Sequence, residues 1–231
     1  MTRKVFDREL DILHREITAL GGRVEGIIVD TAEALKTNNR DLAQRIYSED
    51  PEINASRNQI EQMCVNLIAL QQPLARDLRS ITATLKMVTD IERVADQCAD
   101  ICEIMITYPD LHFMKVPQTV MTMFERATEM FAEAIDSFIR QDAELASTIR
   151  PKDDVVDSLF SRTIIEMSKF IQEDQAFVSQ ATDYMFIAKY LERIADHATN
   201  IGEWTIYAVT GKHTSMSNQI ADRNLAKEFD R

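Results

Sequence analysis

The sequence predicts an all-α protein of six long helices, arranged as two tandem, pseudo-symmetric three-helix bundles. Three observations carry that prediction. Apolar residues recur at alternating steps of three and four through most of the 231 residues, the spacing of one buried helix face. Gly and Pro number only five each, too few for the many turns of a β-rich chain. The second half of the chain also repeats the first. "ALKTNNRDLAQRIYSEDPEIN" (Ala34 to Asn54) aligns without gaps on "SFIRQDAELASTIRPKDDVVD" (Ser137 to Asp157). Further on, "DIERVADQCADI" (Asp90 to Ile101) falls on "YLERIADHATNI" (Tyr190 to Ile201). Repetition of this kind marks each copy as a small bundle in its own right.

The first helix has its seam at Phe6, Leu10, Leu13, Ile17, Leu20, Val24, Ile27, Thr31 and Leu35. Gly22 and Gly26 lie one turn apart inside it. Glycine costs up to about 1 kcal/mol in a helix interior, so either the backbone is closely approached there or the helix is locally soft. "KTNNRD" ends the pattern and offers Asn39 as an N-cap. A second stretch follows to roughly Leu70, with Ile46, Ile53, Ile60, Met63 or Cys64, and Leu67 inward; Pro51 predicts a kink or a restart. Pro73 begins a third helix that runs from Leu74 to Thr107. Residues 108–117 carry two prolines and separate the units, giving spans of 1–108 and 116–211. A polar tail with one short helix follows over 212–231. In the second unit Val120, Phe124, Ala127, Phe131, Ala134 and Phe138 form the fourth seam. A fifth helix reaches about Ile171, and a sixth runs from about Ala176 to Val209.

Composition excludes several functions. Net charge is −12, with 38 acids against 26 bases, so the chain is a poor ligand for nucleic acid or for anionic lipid. Cations or a basic protein surface suit it better. Cys64, Cys98 and Cys102 lie in apolar helical patterns without disulfide or zinc spacing, and read as core thiols of a reducing compartment. The start of the chain lacks a signal-peptide pattern, and no apolar run approaches a membrane span. The expected location is the cytoplasm, with membrane contact only through partners.

The residues that carry chemistry are acids. Glu92, Asp96 and Asp100 are spaced four apart, as are Glu192, Asp196 and Asn200. Asp50 with Asn54, and Asp153 with Asp157, occupy matching places on the preceding helix of each unit. Residues four apart project from one helix face. Antiparallel neighbours would bring the two sets to the same end of the bundle. Such acids on one helix are ordinarily a solvated face. Their recurrence in both units and on both helices favours a built patch of hard oxygen ligands, suited to Mg, Ca, Mn or iron. Arg93 and Arg193 follow the glutamates and would pair with nearby acids such as Asp90, or face a partner. Arg76, Asp77 and Arg79, in "ARDLR", occur only in the first unit and read as surface ion pairs or a partner site. His197 reads as a hydrogen-bonded neighbour of the patch. Glu-x-x-His, H-E-x-x-H and Gly-rich phosphate loops are missing from the sequence.

The doubled "DIERVAD" and "YLERIAD", with "QPLARDLRSI" before the first copy, resemble the PhoU family of bacterial phosphate-uptake regulators over Phe6 to Gly211. The resemblance implies the PhoU-like fold. It also implies a non-enzymatic negative regulator acting as an adapter between the high-affinity phosphate ABC importer, through its ATPase subunit, and a sensor histidine kinase. A homodimer is the expected assembly. The resemblance further implies metal on E(D)xxxD motifs, which here are Glu92/Asp96, Glu192/Asp196, Asp153/Asp157 and Asp50/Asn54, flanked by Asp100 and Asn200. Divalent or iron-group cations (Fe, Zn, Mn, Mg, Ca) are the expected cofactors. Asn54 and Asn200 depart from the acidic pattern and supply an amide oxygen without charge. Two other classes stand beside this reading: a carboxylate-bridged metal enzyme or metal store, and a purely structural oligomerisation module. Ferroxidase or phosphoesterase turnover would mark the first. Failure to recover importer or kinase would mark the second.

Overall fold

Helix α1 (Arg3–Thr37) buries the seam that its spacing prescribes: Phe6, Leu13, Ile17, Leu20, Val24, Ile27, Thr31 and Leu35 are in the core, and Leu10 is half-buried against it. The computed structural model describes residues 3–108 and 115–212. Residues 109–114 of the inter-unit segment, and the predicted tail from residue 213 onward, lie outside the described residues. The remaining elements are α2 (Arg40–Tyr47), α3 (Asp50–Gln71), α4 (Ala75–Thr107), α5 (Gln118–Arg140), α6 (Ala143–Ser147), α7 (Arg150–Glu173) and α8 (Val178–Thr210). A turn of 3-10 helix, Gln175–Phe177, leads into α8.

The six long helices are α1, α3, α4, α5, α7 and α8. The short α2 and α6 arise where each predicted second helix restarts. Asn39 caps α2 by accepting from Leu42 N at 3.0 Å. Asp142 caps α6 through Glu144 N and Leu145 N, both at 3.0 Å. Pro51 and Pro151 then sit in the first turn of α3 and α7, where a missing N–H costs nothing. Proline thus produces a restart, not a kink. Helix α8 begins two residues later than its periodicity suggests, because the Asp174 carboxylate accepts from Ala176 N and holds the chain in the 3-10 turn.

Buried residues of both units form one connected apolar core. The most extensive helix–helix contact is α4 against α8, followed by α5 against α8; α1 packs on both α4 and α5. The Arg40 guanidinium donates to the carbonyl of Ile106 in the last turn of α4, where a cation complements the helix dipole. Cys64, Cys98 and Cys102 are buried free thiols; burial pushes Cys64 and Cys102 up to about 12, so they are inert core groups.

The close backbone approach on α1 is at Gly21, where a Cβ would stand 3.0 Å from Ile135 of α5. Gly22 and Gly26 face open space. Gly202 is tighter, because a Cβ there would meet Ile149 Cδ1 at 3.0 Å and the Ala146 carbonyl oxygen at 3.2 Å. Gly202→Ala is therefore expected to destabilise the protein by about 1–3 kcal/mol. Gly22→Ala should stabilise it by up to about 1 kcal/mol. Urea melts of the two variants check both signs.

Candidate functional site

Asp50, in the first turn of α3, lies close to Asp96 of α4, so acids distant in sequence meet across the two helices. The first patch forms around Asp50, Glu92, Asp96 and Asp100. Part of it lines an open cleft of about 700 Å³, together with Gln44, Tyr47, Ser48, Gln97, Glu103, Arg93 and Arg193. Glu92 is only 6% exposed, and its Oε2 has no hydrogen-bond partner. Burial raises its carboxyl above the usual range, Asp96 adds to this, and the guanidiniums of Arg93 and Arg57 oppose it. Asp96 is raised by burial and by Asp50, against Arg93. Asp100 is raised by burial, Asp96 and Glu103.

The four-residue spacing does not keep all three α4 acids on one face. At 3.6 residues per turn, each step of four advances about 40° around the axis. Glu92 therefore faces α3, where Arg57 Nε lies 3.9 Å from its Oε1. Asp100 faces α8, beside Tyr190 and Arg193. Arg93 bonds Asp96 at 2.9 Å and lies 3.6 Å from Glu92. Asn54 donates its amide N–H to Asp50 Oδ2 at 2.9 Å.

The second patch joins Asp153 and Asp157 of α7 to Glu192 and Asp196 of α8. Asp153 is pushed up to about 6, first by burial and then by Asp196, Asp157 and Glu192; its Oδ1 is buried without a hydrogen-bond partner. Asp196 is likewise raised, by burial and then by Glu192. Lys189 bonds Glu192 at 2.5 Å.

Asn200 does not join this patch. The same 40° drift turns it toward α4, where it donates to Asp90 Oδ1 at 3.2 Å. His197 Nδ1 donates to the same oxygen at 2.9 Å, a bond that crosses between the units. Asp90 is thereby taken by α8 and is not the partner of Arg93. Arg76 also crosses the units, donating to Gln141 Oε1 at 2.9 Å, and Arg79 packs against Gly211 at the end of α8. Asp77 is half-buried and makes contacts of its own. The arginines of "ARDLR" thus brace the joint between units.

Sequence reading missed Arg57. The signal was present: the alignment that sets Asn54 on Asp157 sets Arg57 on Phe160. Among the described residues, no group of three His, Cys, Asp or Glu side chains is already set to hold one metal ion. The donor chemistry nevertheless fits a hard cation. Both sets are all oxygen, and each contains a buried carboxylate oxygen without a hydrogen-bond partner.

A model of the PhoU domain matches residues 17–105 and 120–205. The chain is 35% identical to the phosphate-specific transport system accessory protein PhoU homolog of Clostridium acetobutylicum, over 94% of this chain and 100% of that one. The crystal structure of PhoU from Pseudomonas aeruginosa superposes with a TM-score of 0.84 at 32% identity, covering 90% of this chain and 100% of that one. The phosphate transport system regulatory protein PhoU from Streptococcus pneumoniae gives 0.84 at 28% identity, covering 90% and 99%.

Folded Asp153 holds its proton more tightly than the unfolded chain does. Its charge therefore costs stability above about pH 6 and nothing below about pH 4. In chelator-treated protein, Asp153→Asn should raise the melting temperature at pH 7.5, with the gain vanishing as pH falls to about 4. Paired thermal melts across that range check the sign.

Proposed function

The chain belongs to the PhoU family, and from that premise we propose that it is a non-enzymatic accessory regulator of phosphate-specific transport. It acts as an adapter between the phosphate importer's ATPase subunit and a sensor histidine kinase, restraining uptake and the starvation response when phosphate is plentiful. The observation that carries this reading is likeness along nearly the whole chain, through both repeats, to proteins named as accessory or regulatory components of phosphate transport. No described helix is long and apolar enough to cross a membrane, in keeping with contact through partners.

The carboxylate patches are the proposed cation sites. Asp50, Glu92, Asp96 and Asp100 would serve in the first unit, and Asp153, Asp157, Glu192 and Asp196 in the second. A divalent or iron-group cation would supply positive charge where burial and like charge now raise Glu92, Asp96, Asp100, Asp153 and Asp196. The chain's own residues hold the patches in place through the α3–α4 and α7–α8 packing. Charged faces beside them, including exposed Arg93, are available for docking.

In cells lacking this chain, a phosphate-starvation reporter should rise several-fold at high phosphate and return to its low level when the chain is supplied. A tagged chain should retain the importer ATPase and the kinase. An unchanged reporter with neither partner retained removes the regulatory reading. Protein purified without chelator should carry metal by emission spectroscopy, and Asp153→Ala/Asp157→Ala/Glu192→Ala/Asp196→Ala should lose it. Equal, near-zero metal in both removes the cation half.

A further inference from the structure

We propose that the cleft beside the first patch is a docking site for an arginine side chain presented by the phosphate importer, and that Tyr47, Gln97 and Glu103 receive it. This inference rests on the adapter reading and deepens it. None of the three residues belongs to the acids assigned above to cation binding.

The second repeat shows what such a place accepts. There Arg150, where α6 gives way to α7, bonds Glu203 of α8 at 2.6 Å. The gap-free alignment sets Tyr47 on Arg150. Two residues beyond the second aligned stretch, Glu103 falls on Glu203. The first repeat thus keeps the acid and replaces its guanidinium with an aromatic ring. Both residues line the open cleft of about 700 Å³, where Tyr47 is 41% exposed. Arg93 and Arg193 line it too, but neither takes the part of Arg150. Arg93 bonds Asp96, and Arg193 opposes the charge of Asp100. Among the described residues, Glu103 has no ion pair.

Gln97 points the same way independently. It is 3% exposed, it lines the same cleft, and its Oε1 is buried without a hydrogen-bond partner. A buried acceptor left unsatisfied is costly. The counterpart of Gln97 is His197, which meets Asp90 across the joint. The terminal amide torsion of glutamine is soft, so a turn of the amide presents the oxygen to the cleft. An arginine suits this set better than a lysine. Its five N–H donors can serve the Glu103 carboxylate and the Gln97 carbonyl together, and its flat face stacks on a ring such as that of Tyr47. A lysine ammonium has three donors and no flat face.

The test measures binding of the full chain to the detergent-solubilised importer by biolayer interferometry, with the detergent-solubilised kinase in parallel. Wild type should bind the importer. Glu103→Gln should weaken that binding about tenfold or more. Glu103 is exposed, so this variant should melt as wild type does. Tyr47→Arg, which installs the residue of the second repeat, should weaken binding to a similar degree by letting the chain fill its own cleft. Gln97→Met should weaken binding without lowering the melting temperature, because it removes an acceptor that is unpaired in the free chain. Glu203→Gln, the same change in the second repeat, should leave binding within about twofold. A photo-crosslinking residue at position 47 should join an importer segment that contains an arginine. Exchanging that arginine for glutamate should abolish binding to wild type and restore it to Glu103→Arg. Unchanged importer binding in both Glu103→Gln and Tyr47→Arg, a cross-linked segment without arginine, or weakened binding to the kinase alone overturns the docking site while leaving the adapter reading intact. A wild-type chain that binds neither importer nor kinase overturns both.

Discussion

Helices α4 and α8 run antiparallel along each other, because Asp90 meets His197 and Asn200 while Asp100, ten residues on, lies beside Tyr190 and Arg193. This contact joins the two units into one core, and each carboxylate patch is built on one of its two helices. Half-buried polar groups in such a contact need partners, since an unpaired buried donor or acceptor costs roughly 1–3 kcal/mol. Asp90 finds two of its partners across the joint. The same joint carries Arg193 away from its own repeat and delivers it to the other.

The patches themselves are a problem in self-repulsion. Burial penalises each carboxylate, and close acids add to the penalty, so the raised groups sit where several acids crowd together. The two units meet this differently. The first surrounds its acids with Arg57, Arg93 and Arg193; the second leaves Asp153, Asp157 and Asp196 without ion pairs among the described residues. Identical acid counts therefore give unlike electrostatic sites. The difference comes from residues outside the repeated motif, on α3 and α7, and from the direction in which a shared motif residue turns.

Much of the fold was legible because it depends on local periodicity and caps. The seams of α1 and α5 are buried as spaced, Asn39 caps a helix, and the prolines mark first turns. The short helices α2 and α6 were hidden inside longer apolar patterns, since a cap that restarts a helix barely disturbs the spacing. Placing Asn200 by four-residue steps failed for a geometric reason: drift of about 40° per step is negligible over one turn and decisive over two. Arg57 escaped notice because attention to repeated acids passes over a position where the repeats differ.

By itself the sequence determined the helical class, the twofold repeat, the family and the acids that each patch contains. These follow from residue identity and spacing along single helices, which local sterics and amphipathicity dictate. The tertiary structure alone decided which cation faces which acid. Arg93 and Arg193 occupy the same place in the same motif, yet both serve the first patch, and Asn200 leaves the second for Asp90. Those outcomes depend on the rotation of α4 against α8 and on what α3 and α7 present from the side. No periodicity along one helix encodes a relation between two.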